Sequence, residues 1–340
     1  MNRTLRALFI ALLTGGVYSL STLSVLAAAA PVKIAVGYAT ISTASTTLWV
    51  AQDEHFFAKN GIDADLVFMP GSPTLIAAIS SGSLSIGYTG GTAIIGAVAG
   101  GADFKVIAAS QGRVLHDLVV RPEIKKAEDL RGKRIGVTSI GGTGWMAAML
   151  AFEQLGVNPE KDKLIVSAFG DMRLIGKALE AGNLDGVLVT GNLISQFKRS
   201  GYNVLGDLER VPLLGSAVVV KHSMITAQTE LLRNFLRALT EAQAFVLSPA
   251  KRPAVLRVMS KRLNITDPAI AEDGLNDLQK RIDKKLFPSI DGLRNIQRFL
   301  QTRNPKIGQI KLQDVIDDSL VRELEKSGFN DRVLAYYGVK

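Results

Sequence analysis

Short apolar runs alternate with amphipathic stretches along most of the chain, the pattern of strand–helix–strand units and so of an α/β fold with largely parallel sheets. The first apolar run, Lys33–Tyr38, precedes a helical stretch near Thr46–Lys59. There Trp49/Phe56 and Val50/Phe57 recur at i, i+7, and Gly61 marks the stop. Strand Asp65–Met69, helix Pro73–Ser80, strand Leu84–Tyr88, helix Thr92–Ala99 and strand Phe104–Ala108 complete a first series. A second opens at Asp117–Val120 and continues through strand Arg134–Val137, helix Thr143–Leu155, strand Leu164–Ser167, helix Arg173–Ala181, strand Gly186–Val189, helix Leu193–Ser200 and strand Asn203–Leu205.

The two series echo each other. Gly82-Ser83-Leu84 and Gly182-Asn183-Leu184 each close a helix and open a strand, and Thr89-Gly90 and Thr190-Gly191 end those strands. Two lobes of one architecture are expected. A strand at Ser216–Val220 then resumes the first lobe, so two connections between lobes are expected, near Arg113–Val119 and Gly215–Val220. Paired connections make a hinge. Beyond it the chain turns helical. Leu231, Leu232, Phe235, Leu236, Leu239 and Phe245 share one face, and Thr266-Asp267-Pro268 begins a further helix.

Four strands run into patches of Ser, Thr, Gly and Asn that lead straight into helices: Thr40–Thr47, Thr89–Thr92, Thr138–Thr143 and Thr190–Asn192. None of the four holds an ionisable side chain. A strand-to-helix elbow exposes unpaired N–H groups at the positive end of a helix dipole, and small hydroxyls add donors without blocking approach. Such elbows suit small anions or polar molecules and contain nothing that would do chemistry on them.

Composition narrows the picture. Of 340 residues, 47% are hydrophobic and 21% charged, which is globular, and the length favours two lobes. Arg3 and Arg6, the apolar stretch Leu8–Leu13 and the run Ala27–Ala30 read as a signal peptide (residues 1–30) cleaved near Ala29 or Ala30. An uncleaved anchor is the alternative, but Thr14, Gly15, Gly16, Ser19, Ser21 and Thr22 interrupt the apolar run. The net charge of +9 is spread over helices such as Lys280–Lys285 without interleaved aromatics, so no nucleic-acid partner is expected. With no cysteine there is no disulfide or thiolate site. His55, His116 and His222 share no metal motif, and no G-x-S-x-G elbow occurs; neither an enzyme nor a cofactor or metal is expected.

Three segments carry a resemblance. Leu48-Trp49-Val50-Ala51-Gln52-Asp53-Glu54-His55-Phe56-Phe57-Ala58-Lys59-Asn60-Gly61, Ala127–Val137 and Arg322–Phe329 together resemble the periplasmic substrate-binding proteins of ABC importers, in the sulfonate/nitrate/taurine and thiamine-precursor group. The similarity runs from about Lys33 to Phe329. It implies a type II, clamshell periplasmic-binding-protein fold: lobe 1 at residues 31–115, lobe 2 at 116–214, and a return to lobe 1 with C-terminal helices at 215–340. It implies a soluble, monomeric periplasmic receptor that delivers a small anionic or polar organic ligand (a sulfonate, nitrate, an aromatic acid or a pyrimidine) to an inner-membrane ABC permease. The alternatives are a sensory receptor docking on a membrane kinase and a thiamine-precursor-related enzyme.

On this reading the ligand-binding residues are Ser42, Thr43 and Ser45 in the first elbow and Thr89, Gly90, Gly91 and Thr92 in the second. Ser139, Gly141, Gly142 and Thr143 form the third set, with Thr190 and Asn192 in the fourth. Each elbow has a purely structural reading beside this one, as helix cap or turn. Tyr38, Tyr88 and Trp145 are candidates for stacking, though the spacing of Trp145 suits the core. Arg113 is either an anion partner or a solvated hinge residue, and Arg173 is structural.

Overall fold

The computed structural model describes residues 30–340; the expected signal segment lies outside the described residues. The strands are β1 (Val32–Tyr38), β2 (Ile62–Phe68), β3 (Ile86–Thr89), β4 (Phe104–Arg113), β5 (His116–Val120), β6 (Arg134–Val137), β7 (Ile165–Ala168), β8 (Gly186–Thr190), β9 (Asn203–Leu205) and β10 (Pro212–Lys221). Between them lie α1 (Thr46–Asp53), α2 (Phe56–Lys59), α3 (Ser72–Ser81), α4 (Gly91–Ala99), α5 (Thr143–Gln154), α6 (Met172–Glu180) and α7 (Gly191–Arg199). After β10 come α8 (His222–Ala227), α9 (Thr229–Leu247), α10 (Arg252–Leu263), α11 (Pro268–Arg281), α12 (Ile290–Leu300), α13 (Pro305–Gly308), α14 (Ser319–Lys326) and α15 (Phe329–Tyr336).

Two five-stranded sheets form two lobes, ordered β2-β1-β3-β10-β4 and β7-β6-β8-β5-β9. Both are mixed rather than largely parallel. β10 runs antiparallel to β3 and β4, and β5 antiparallel to β8 and β9. The cause is the crossing itself. The parallel strands end at the gap between lobes, so a strand that has just crossed starts there and runs the other way. The first crossing is Val114–Leu115, within the expected span. The second lies at 206–211, earlier than expected, because β10 already pairs with β4 from Pro212, ahead of its pairing with β3 at Ala217–Val220.

The central strands β3 and β8 are buried along their whole length, as strands covered on both faces must be. On one face of the first sheet, Trp49, Phe57, Phe235, Leu236 and Leu239 form the main core. A second core runs without interruption from Leu75, Ile79 and Ile94 in the first lobe to Met146, Leu150 and Phe152 in the second. The expected helix Thr46–Lys59 is broken at His55, whose φ of 60° is left-handed. The break turns Phe56 toward Phe245 and stacks Phe57 on Phe235, with centroids 5.6 and 5.1 Å apart. Buried Glu241 ties the C-terminal helices down, accepting from Lys59 Nζ at 2.7 Å and Tyr337 Oη at 2.9 Å.

Candidate functional site

The elbows meet across the gap. Thr43 Oγ1 donates to Thr190 Oγ1 at 3.2 Å, so the first elbow faces the fourth. The second faces the third: a methyl group placed on Gly90 would fall 1.8 Å from Thr143 Oγ1. One on Gly71, ahead of α3, would fall 2.7 Å from Ser139 Oγ. Between them lies a cavity of about 40 Å³, lined by Thr40, Ser45, Ser72, Thr89, His116 and Thr143 among others. A larger groove of about 750 Å³ lies against Ser42, Asn192, α6 and the α10–α11 loop.

Helix starts dominate the cavity wall. Gly71, Gly90 and Gly142 precede α3, α4 and α5 and have no side chain to cap them, whereas α1 continues from the turn Thr43–Ser45, which Ser42 caps. Asp171, Asp267, Ser289 and Asn304 cap α6, α11, α12 and α13, while several helices away from the cavity, such as α9 and α10, also lack a side-chain cap; what marks α3, α4 and α5 is that they start at the cavity wall. The cavity-facing N–H groups are therefore left for another acceptor. Three side-chain atoms share this condition: Thr40 Oγ1, Thr89 Oγ1 and His116 Nδ1 are buried and have no hydrogen-bond partner.

Elements behind the wall fix it in place. Ser45 Oγ donates to the Thr40 carbonyl at 2.6 Å, and Thr47 Oγ1 to Gln243 Oε1 at 2.5 Å. Gln243 Nε2 reaches the Ser110 and Asp283 carbonyls at 3.0 and 2.7 Å. Tyr88 Oη donates to Ser110 Oγ at 2.8 Å, and burial pushes the phenol up to about 12, so it stays neutral. His116 is pushed down to about 4 by burial and by the field of Arg281, so it too is neutral near pH 7. The Arg281 guanidinium grips Asp117 through two bonds of 3.1 and 2.9 Å and lies 2.9 Å from Asp277. Burial pushes the Asp277 carboxyl up to about 6, against the pull of Arg281. No side chain lining the cavity is ionised at pH 7.

Of the residues expected to bind ligand, Ser45, Thr89, Gly90 and Thr143 line the cavity. Thr43 and Thr190 join the lobes beside it, and Thr190 also donates to Met172 Sδ at 3.6 Å. Ser42 caps the short turn Thr43–Ser45 and, with Asn192, lines the outer groove. Gly91 packs on Leu214, Leu293 and Ile296, facing away from the cavity. Thr92 is buried outside the lining, Gly141 makes a turn at φ +75°, and Gly142 packs on Ser139. Arg113 is exposed at the end of β4, Trp145 packs edge-on to Phe299, and Arg173 pairs with Asp171.

Sequence reasoning passed over His116, Gln111, Ser216 and the Gly71-Ser72 turn. The turn had a signal, since Gly-Ser-Pro before an apolar helix is the same elbow grammar. His116 had one only in its place just after the first crossing.

The architecture is the periplasmic-binding-protein fold. The periplasmic aliphatic sulphonate binding protein SsuA of Escherichia coli superposes with a TM-score of 0.68 at 18% identity, over 85% of this chain and 92% of that one. The periplasmic nitrate-binding protein NrtA of Synechocystis PCC 6803 gives 0.66 at 14%, over 87% and 89%. Residues 42–251 match the family described as NMT1/THI5 like, and the chain belongs to that family. By sequence it is 27% identical over 218 residues to the taurine-binding periplasmic protein of Escherichia coli K12, covering 62% of this chain and 66% of that protein, just under two thirds of its length.

Two predictions follow from the geometry. Gly90 has φ −93°, open to any residue, so Gly90→Ala should leave the first lobe folded but hold the lobes apart. Small-angle scattering should show a larger radius of gyration than wild type, and a second change, Thr143→Ala, should reverse part of it. An unchanged radius would mean that this contact does not set closure. His116, depressed when folded, contributes stability above its ordinary value of 6.5 that is lost as pH falls toward about 4. Relative to His116→Gln, the wild-type protein should lose up to about 3 kcal/mol between pH 7 and pH 4 in urea unfolding. Asp277, shifted the opposite way, is common to both proteins and cancels in the difference.

Proposed function

We propose that this protein is the solute-binding component of an ABC import system, capturing a small anion in the interlobe cleft for delivery to an inner-membrane permease. One observation carries the reading. Three uncapped helix starts and several unpartnered polar atoms converge on a largely enclosed cavity with no ionised side chain in its lining. Oriented N–H groups in a dry site favour negative charge without a counter-ion, because the low dielectric strengthens each donor. A cavity of about 40 Å³ fits a compact oxyanion head, so entry requires the lobes to part. Taurine, aliphatic sulphonates and nitrate, named for the relatives, all present such a head, and we assign a sulfonate as the ligand class.

In this role the anion binds one lobe's helix starts, the lobes rotate closed, and the other lobe's donors complete the shell. Closure brings together Arg298 with Glu153 at 2.7 Å and Arg199 with Asp273 at 2.7 Å. The protein acts in the periplasm after removal of residues 1–30, as a monomer, and binds its solute without turning it over.

Thermal-shift measurements against taurine, methanesulfonate, nitrate, benzoate and uracil test the assignment. A sulfonate at ~100 times its dissociation constant should add about 2.7 kcal/mol. A shift with benzoate or uracil alone would refute it. Thr89→Val removes a buried hydroxyl that has no partner in the empty protein. The variant should be as stable as wild type or more so, yet bind the sulfonate about tenfold or more weakly, since a bond to a charged acceptor is lost.

A further inference from the structure

We propose that His116 is the proton-linked contact of the cleft: an anion in the cavity converts its imidazole to imidazolium, so that capturing one anion takes up one proton. The inference rests on the anion-binding reading above and names a residue and a coupling that reading does not require.

The geometry is specific. His116 opens β5 directly after the first crossing and pairs in register with Thr190, the last residue of β8. This places it where the third and fourth elbows begin. The side chain is 6% exposed and lines the cavity, and its Nδ1 is buried without a partner. The ring's other nitrogen would lie 3.5 Å from a methyl group placed on Gly144, at the start of α5. The elements packed around it supply neutral groups with one exception. β8 gives Thr190, the third elbow gives Thr138 and Thr143, and the first lobe gives Thr40, Ser45 and Thr89. The exception is Arg281 at the end of α11, whose own charge is matched by Asp117 and Asp277.

Without an anion, helix starts, Arg281 and burial all oppose a second positive charge, and the imidazole is neutral. An anion within contact distance reverses the local field and supplies the missing partner. A sulfonate does not itself titrate near neutrality, so any pH dependence of its affinity belongs to the protein. By linkage, affinity should tighten as pH falls through the value that His116 takes in the complex, and level off below about 4, its value without ligand.

Isothermal titration of the full mature protein with methanesulfonate tests this. Affinity should be at least about tenfold tighter near pH 5.5 than near pH 7.5. Paired buffers of different ionisation enthalpy should report uptake approaching one proton per site at the lower pH. His116→Gln should bind with no such dependence, whereas Asp277→Asn, which alters a titrating group outside the cavity lining, should keep it. Imidazole NMR on the unaltered chain, which has three histidines, gives a readout independent of variant folding. The His116 signal should titrate near 4 alone and well above that with methanesulfonate. Binding with flat affinity, no proton uptake and an unmoved His116 signal overturns the proposal and leaves the anion receptor standing. Failure of methanesulfonate, taurine and nitrate to bind at any pH removes both.

Discussion

The structure depends on helix N-termini that face one another across a gap with nothing to cap them. A helix start leaves N–H groups that water, a side chain or a ligand must satisfy. Elsewhere the chain uses Asp171, Asp267, Ser289 and Asn304 for this. At the cleft α3, α4 and α5 begin at glycines, which have no side chain to do so. Thr89 and His116 add unpartnered atoms in the same place. Buried polar groups without partners cost free energy, of order 1–3 kcal/mol each. An occupant that accepts from these groups recovers that cost, which couples closure to filling on the proposed reading.

Topology supplies this arrangement. Strands ending at the gap deliver their elbows there, and the two that cross run back from it. The core shared by both lobes passes through the crossings, so the hinge is packed. The bridging ion pairs differ: Arg281–Asp117 is buried beside the crossing, whereas Arg298 and Glu153, at the rim, are each 48% accessible. Pairs of that kind contribute roughly 0–1 kcal/mol and are screened by salt. The rim pairs guide closure more than they hold it, while Arg281–Asp117 ties β5 to α11 near the hinge. Close approach is equally demanding, since Gly90 admits no side chain opposite Thr143.

Much of this was legible in the chain, for reasons that name its limits. Strand-to-helix order, the two lobes and the elbows follow from local patterns, and local patterns are what periodicity reads. The mixed character of the sheets was not legible, because the direction of β5 and β10 is set by where the chain crosses, a property of tertiary topology. Within the elbows, residue type gave the chemistry but not the facing. Gly91 sits one position from Gly90 and yet packs on Leu293 and Ile296, since one step along a helix start turns the residue by roughly 100°. Ser42 and Ser45 diverge likewise, one to the outer groove and one to the cavity. His116 was passed over because it was weighed only for a metal motif and fell just before the strand expected from Asp117. Only the register of β5 on β8 shows that it meets the cavity.

Neutral lining also bears on release. An arginine in direct contact would bind an anion strongly, but a buried ion pair is costly to assemble and to separate. This fold keeps its nearest guanidinium, Arg281, engaged with two carboxylates behind the wall, so its charge reaches the cavity as a field and not as a partner. On the proposed function, an anion would be held by many weak, oriented donors divided between two lobes. Parting the lobes would remove half of those donors together, so on the proposed reading affinity falls with the opening motion without separating a buried anion–guanidinium pair. A site built around a single strong charge on one lobe would retain its solute when open.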